Sequence, residues 1–155
     1  MRVISFFFDG ELFAVDVNRV QKIVRKMTLT YVPTAPEAIK GIINLKGKVI
    51  TVFSLYNLLE RKKQGVCYDN KKEVDTIILN SFSGLEDQIG LIIDKPHNLM
   101  DIDDEIICAT GKDDSCFLTG IAELDNTLYR IINIDSIINK YNADTNVLNG
   151  GLYAD

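Results

Sequence analysis

His97, the one histidine of the chain, sits in a turn-like DKPHN segment, and with Asp16 and Asp94 it is where acid–base chemistry would be sought. General acid–base work needs a titratable group positioned beside a nucleophile or a second acid. No G-x-S-x-G, phosphate-cradling loop, dinucleotide-binding glycine pattern or H-E-x-x-H motif accompanies these residues, and no paired spacing joins them. The acidic run Asp101, Asp103, Asp104 and Glu105 resembles a cation loop only superficially. It lacks the central glycine and the distal bidentate glutamate that calcium requires, and reads as a solvated loop. Cys67, Cys108 and Cys116 show no C-x-x-C spacing and have a single histidine to join them, which argues against structural zinc. The expectation is a protein that is not an enzyme and holds no metal or cofactor.

Composition narrows the alternatives. A net charge of −5 speaks against a nucleic-acid footprint, for which a clustered basic face is needed. An oligonucleotide-binding barrel stacking bases on Tyr31, Phe53 and Tyr129 is the alternative of another class, and it lacks a basic track. Apolar runs such as 89–93 are too short to cross a bilayer, so no membrane insertion is expected. The opening MRVISFFFDGELF carries one basic residue and meets Asp9 and Glu11 at once, reading as a first strand and not a cleavable leader. An odd number of cysteines without a secretion signal suits a reducing cytoplasm.

The elements that must position any site repeat. Residues 41–59, GIINLKGKVITVFSLYNLL, recur at 120–138, GIAELDNTLYRIINIDSII, without a gap. Gly41, Ile42 and Leu45 meet Gly120, Ile121 and Leu124 identically, and only Tyr56 against Asp135 changes polarity class. Upstream, Phe13, Ala14, Val15, Val17, Ile23 and Val24 align with Ile89, Gly90, Leu91, Ile93, Leu99 and Met100. The offset is 79 for the first pair of blocks and 76 for the second, as one loop-length difference would produce. The chain thus reads as two versions of one unit in a single domain spanning 1–155. The lobes are expected at roughly 12–63 and 74–140, joined through a polar linker at 64–72 and followed by a tail at 141–155.

Within each unit the pattern is strand and turn. Residues 3–8, Asp9-Gly10 and 12–17 form a hairpin, as do 41–45, the turn from Lys46 to Lys48, and 49–53. The outgoing strand 49–53 is apolar on both faces apart from Thr51 and is expected to be central. Asn18 to Val24 allows a helical turn, 29–32 extends it as a strand, and Pro36 with Glu37 and Ala38 suits a short helix stopped at Gly41. Ser54 is a candidate N-cap for a helix over 55–63, and a last short helix covers 134–140. In the second unit the strands are 76–79, 89–93 and 128–132, with turns at Ser83-Gly84 and Asp125-Asn126. Short strands with short helices imply an all-β barrel or pair of barrels. Val20, Ile23, Val49 and Ile50, beside Lys22, Lys46 and Lys48, suggest a groove between lobes that accepts an apolar helix.

The segment VPTAPEAIKGIINLKGKVITVFSL resembles the hallmark stretch of CheW-type chemotaxis coupling proteins, with a proline-flanked helix, G-x-x-N-L-R-G and an apolar strand. The opening F-x-x-x-G-E-L-F-A-V-D-V, the G-L-I-I-D strand and the closing F-L-T-G-I…L-Y-R-I-I-N-I-D-S-I-I also look like that family, in its order, over roughly residues 3–140. The resemblance implies two intertwined five-stranded SH3-like barrels with short connecting helices and a short C-terminal helix. It also implies a non-catalytic cytoplasmic adaptor between chemoreceptor cytoplasmic tips and the regulatory domain of a histidine kinase, with a scaffold of the same family in a non-flagellar signalling pathway as the near alternative. Carried over by position, Val20, Lys22, Ile23, Gly41 and Lys46 face the receptor, and Leu29, Tyr31 and Pro33 face the kinase. Lys46 stands where the family has arginine, Thr51 and Ser54 where it has proline and aspartate, Lys22 where an acid is common, and Pro96 where it has valine.

Overall fold

The computed structural model describes residues 1–33, 35–59, 73–80, 88–109 and 117–153. They form eleven strands and two α-helices. In chain order these are β1 (Arg2–Phe8), β2 (Glu11–Asp16), β3 (Val20–Thr28), β4 (Ile39–Leu45), β5 (Lys48–Phe53), α1 (Leu55–Leu58), β6 (Glu73–Leu79), β7 (Ile89–Ile93), β8 (Lys95–Asp101), β9 (Ile107–Cys108), β10 (Leu118–Leu124), β11 (Thr127–Ile132) and α2 (Ile134–Tyr153). A six-stranded sheet runs β8-β1-β2-β11-β10-β9 and a five-stranded sheet runs β3-β6-β7-β5-β4. Both curl into small barrels of the SH3-like kind.

The repeat holds strand for strand. Adding 79 to the bounds of β4 and β5 gives those of β10 and β11, and α1 and α2 begin 79 residues apart. Both hairpins turn on two residues of positive φ, Lys46 (51°) with Gly47 (85°) and Asp125 (49°) with Asn126 (63°), the geometry that matches the twist of the flanking strands. The core of each barrel contains one register pair from these hairpins. Ile43 faces Ile50 in the smaller barrel and Ala122 faces Tyr129 in the larger, so two middle-sized side chains are replaced by a small and a large one. Such volume-conserving exchange is what close-packed interiors tolerate.

The expected lobes at 12–63 and 74–140 are not the units that form. β5 pairs in parallel with β7 (Thr51 with Ile89, Val52 with Gly90), and β11 pairs in parallel with β2 (Arg130 with Phe13, Ile131 with Ala14). Each copy therefore lends a hairpin to the other's sheet, and strands 20–93 build the smaller barrel while the flanking segments build the larger. Continuous apolar strands such as β7, buried at all five positions, have to lie between two neighbours. Between the barrels lies a third and largest core, in which Phe6, Phe8, Phe13, Phe53, Leu91 and Ile137 are buried together.

Four local readings are corrected. The helix expected from Pro36 does not form: turns at 37–38 lead into β4 at Ile39, because Ala38 and Ile39 are pulled into the shared core and Ser54 N donates to Ala38 O. Residues 29–32 contribute only a bridge in which Thr30 and Ile42 exchange two backbone hydrogen bonds of 2.8 and 2.9 Å. The larger sheet has six strands, not five, because the equivalent closing segment there is long enough to count as β9. Finally, α2 continues past Lys140 to Tyr153. Its first turns dock Ile134, Ile137 and Tyr141 on the shared core, with Tyr141 edge-on to Phe53 at 6.2 Å, and propagating a docked helix is inexpensive. The expected linker 64–72, the helix beyond Leu59 and the turn at Ser83-Gly84 lie outside the described residues.

Candidate interaction surface

Asp16 and Asp94 serve the backbone at two separate places, and His97 lies at a third. Asp16 accepts from the Asn18 amide at 2.9 Å and caps the short turn before β3, while Asp94 accepts from the Asp9 amide at 2.8 Å and closes the β1–β2 turn. His97 Nδ1 lies 2.9 Å from Ser5 Oγ, a contact that superficially suggests a nucleophile and its base. Ser5, however, is fully buried and its Oγ also accepts from the Asn98 amide at 3.0 Å, where the β1–β8 register slips between Ile4 and Phe6. The hydroxyl thus satisfies backbone groups that the bulge leaves unpaired. Among the described residues no group of three or more His, Cys, Asp or Glu side chains could hold a metal ion. The stacking alternative loses its platform, since Phe53 is fully buried, Tyr129 is 7 % exposed and only Tyr31 is open to solvent.

The eight residues expected to meet partners all belong to the smaller barrel or to the segment that closes it. Val20, Lys22 and Ile23 lie on β3, paired with Leu79, Ile78 and Ile77 of β6. Lys22 is exposed, whereas Val20 and Ile23 are partly buried against the shared core. Gly41 lies on β4 and Lys46 on the turn after it, at the far edge of the same sheet. The curl brings the edges together at Thr30 and Ile42, and because the bridge is antiparallel the seam runs back along β3 toward Lys26 and Lys22 and forward along β4 toward Lys46.

Two of the eight are interior. A Cβ on Gly41 would meet Thr30 O at 2.3 Å and Leu29 Cδ1 at 3.0 Å, so only glycine allows this approach. Leu29 is 1 % exposed and packs with Ile43, Ile50, Val52 and Ile78. These two residues shape the surface from beneath, whereas Tyr31, 50 % exposed, and Pro33, also exposed, can touch a partner directly. Leu29, Thr30 and Gly41 therefore join the two expected contact areas through one packed seam.

Asp75 completes the positioning of β3. Lys26 has φ of 54° at a register slip, and its amide donates to Asp75 Oδ1 at 2.9 Å while Arg25 Nε reaches Oδ2 at 3.4 Å. A single carboxylate thereby fixes a bulge on the strand that carries Lys22 and Ile23. Pattern reading did not assign this role to Asp75.

Val49 is the contact candidate that pattern reading noticed without assigning. Its strand is central, as expected, but β7 accompanies β5 only at Thr51–Phe53, and Val49 projects beyond that pairing with 57 % exposure. Its equivalent in the repeat, Leu128, is 48 % exposed for the same reason, β2 reaching β11 only from Tyr129 onward. The one polarity change in the repeat also has a structural result. Tyr56 is buried with its ring 4.5 Å from Phe8, whereas Asp135 is exposed, pairs with Arg19, and lines an open cleft of about 150 Å³ at the start of α2.

Comparison with known proteins gives concordant results. The chain matches the CheW-like domain family over residues 2–142. It is 26 % identical over 140 residues to "Chemotaxis protein CheW" of Thermotoga maritima, covering 89 % of this chain and 87 % of that one. Against the protein of the same description from Bacillus subtilis it is 25 % identical over 150 residues, covering 94 % and 92 %. Its structure is similar to the crystal structure of scaffolding protein TtCheW from Thermoanaerobacter tengcongensis, with a TM-score of 0.70, 31 % identity and coverage of 85 % and 83 %.

Proposed function

Because the chain belongs to the CheW-like domain family, we propose that it is a chemotaxis adaptor that couples the cytoplasmic tips of chemoreceptors to the regulatory domain of a histidine kinase. The observation that carries this reading is the extent of the family match, which runs from β1 into α2 and so includes both hairpin exchanges. It acts in the cytoplasm and performs no chemistry of its own. Its contribution is to hold two partners in a fixed relation.

The receptor contact uses Val20, Lys22, Ile23 and Lys46 above Gly41, and the kinase contact uses Tyr31 and Pro33 above Leu29. The short rigid path through Leu29, Thr30 and Gly41 supports this division, since a partner pressing on one area is felt in the packing of the other. The test is reconstitution. The purified chain, a cognate kinase and a receptor tip should form a ternary complex in which kinase autophosphorylation rises only when both the chain and the receptor are present. Turnover of a nucleotide or an ester by the chain alone, lost in His97→Ala, would overturn the reading.

A further inference from the structure

The β4–β5 and β10–β11 turns are the same structure with opposite charge. Each has two residues of positive φ, and each is followed by an exposed aliphatic side chain, Val49 or Leu128. Lys46 at φ 51° occupies the place of Asp125 at φ 49°, Lys48 that of Thr127, and Asn44 that of Glu123. Among the described residues neither Lys46 nor Lys48 enters a salt bridge, whereas Arg25 on the same barrel pairs with Asp75.

The inversion extends beyond the turns. The described residues between 20 and 93, which supply every strand of the smaller barrel, carry six Lys and Arg against three Asp and Glu, and the other described residues carry five against twelve. An acidic protein thus presents one basic end. Opposite potentials on two similarly shaped surfaces discriminate between partners chiefly by steering the right one and repelling the wrong one.

We propose that the β4–β5 turn, through Lys46, Lys48 and Val49, docks a carboxylate-rich partner surface with an apolar centre, and that the β10–β11 turn repels that same partner. Val49 supplies the desolvated contact and the two ammonium groups supply orientation and selectivity. Where the partner is the receptor tip, the proposal rests on the coupling reading above. The chemistry of the turn itself does not depend on it.

The test uses two synthetic helical peptides with the same apolar face, one flanked by glutamates and the other by lysines, titrated into isotope-labelled protein. At about 20 mM salt, well below physiological screening, the glutamate peptide should shift the amide resonances of Lys46 to Val49 and not those of Asp125 to Leu128. The double variant Lys46→Asp/Lys48→Thr, which copies the counterpart turn and so uses side chains that this geometry already accepts, should weaken that binding about tenfold or more. The reciprocal Asp125→Lys/Thr127→Lys should create a second site for the glutamate peptide. Equal perturbation of both turns, perturbation of neither, or unchanged affinity in the double variant would overturn the proposal. If the glutamate peptide binds as expected while a cognate receptor tip does not bind at all, the coupling reading fails and the assignment of the turn stands.

Discussion

Gly41 and Gly120 occupy one structural position twice. A Cβ on Gly41 would lie 2.3 Å from Thr30 O, and one on Gly120 would lie 2.5 Å from Cys108 O, so in both barrels a glycine lets the hairpin strand approach the segment that closes the sheet. Both also sit where the hairpin register slips, opposite Val52 and Ile131.

Gly41→Ala and Gly120→Ala should each destabilise by about 1 to 3 kcal/mol, because the added methyl meets backbone that cannot withdraw without breaking its own hydrogen bonds. The two sites lie in different sheets with no shared partner, so the double variant should lose the sum to within about 0.5 kcal/mol. Denaturant titration measures both. For Gly41→Ala, faster hydrogen exchange at the Thr30 and Ile42 amides should locate the damage at the seam.

Tyr31 and Leu29 are two residues apart and should behave oppositely. Tyr31→Ala removes a half-exposed ring and should change stability by no more than about 0.5 kcal/mol while weakening binding to the kinase regulatory domain. Leu29→Ala opens a cavity among buried aliphatic residues and should cost about 2 to 5 kcal/mol. Isothermal titration of the kinase domain beside thermal unfolding separates a contact residue from a supporting one, and retained kinase affinity in Tyr31→Ala would remove Tyr31 from the contact.

Asp75 should prove to be an acceptor more than a charge. Asp75→Asn keeps an oxygen for the Lys26 amide and forfeits only an exposed partner in Arg25, a loss of about 0 to 1 kcal/mol. Asp75→Ala leaves the bulge amide without its acceptor and should cost about 1 to 3 kcal/mol. Equal stability of the two variants, read from denaturation midpoints, would show that the bulge holds itself.

The helix caps offer a matched pair. Ser54 Oγ accepts from the Tyr56 amide at 3.3 Å at the start of α1, and Asn133 Oδ1 accepts from the Ser136 amide at 3.2 Å at the start of α2. Asn133→Ala should destabilise by about 1 kcal/mol, seen as a lower melting temperature with α2 still present by circular dichroism.

The repeat was legible because two strands, a turn and a helix start each carry a local signal, and 41–59 met 120–138 without slippage. What stayed hidden was non-local. Nothing in the composition of β2 or β7 says that each crosses to the other copy's hairpin, because parallel pairing leaves no turn residue to announce it. The helix expected between Pro36 and Gly41 failed because burial of Ala38 and Ile39 outweighed helix propensity, and the short final helix was misjudged because Asn and Gly after Tyr141 read as a tail. For the candidate surface, exposure was legible at Lys22, Lys46 and Tyr31. At Leu29 and Val49 it depended on where a neighbouring strand ends, and that was not.

The joining of both copies in one polypeptide bears on how the two turns can change. In a symmetric dimer of half-length chains swapping the same hairpins, every codon change would reach both ends of the assembly at once, and a lysine gained at one turn would be gained at the other. Here Lys46 and Asp125 are written separately. Selection can alter one end and leave the other untouched, so a pairwise symmetric scaffold becomes a molecule whose two ends can differ, and that difference can be inherited.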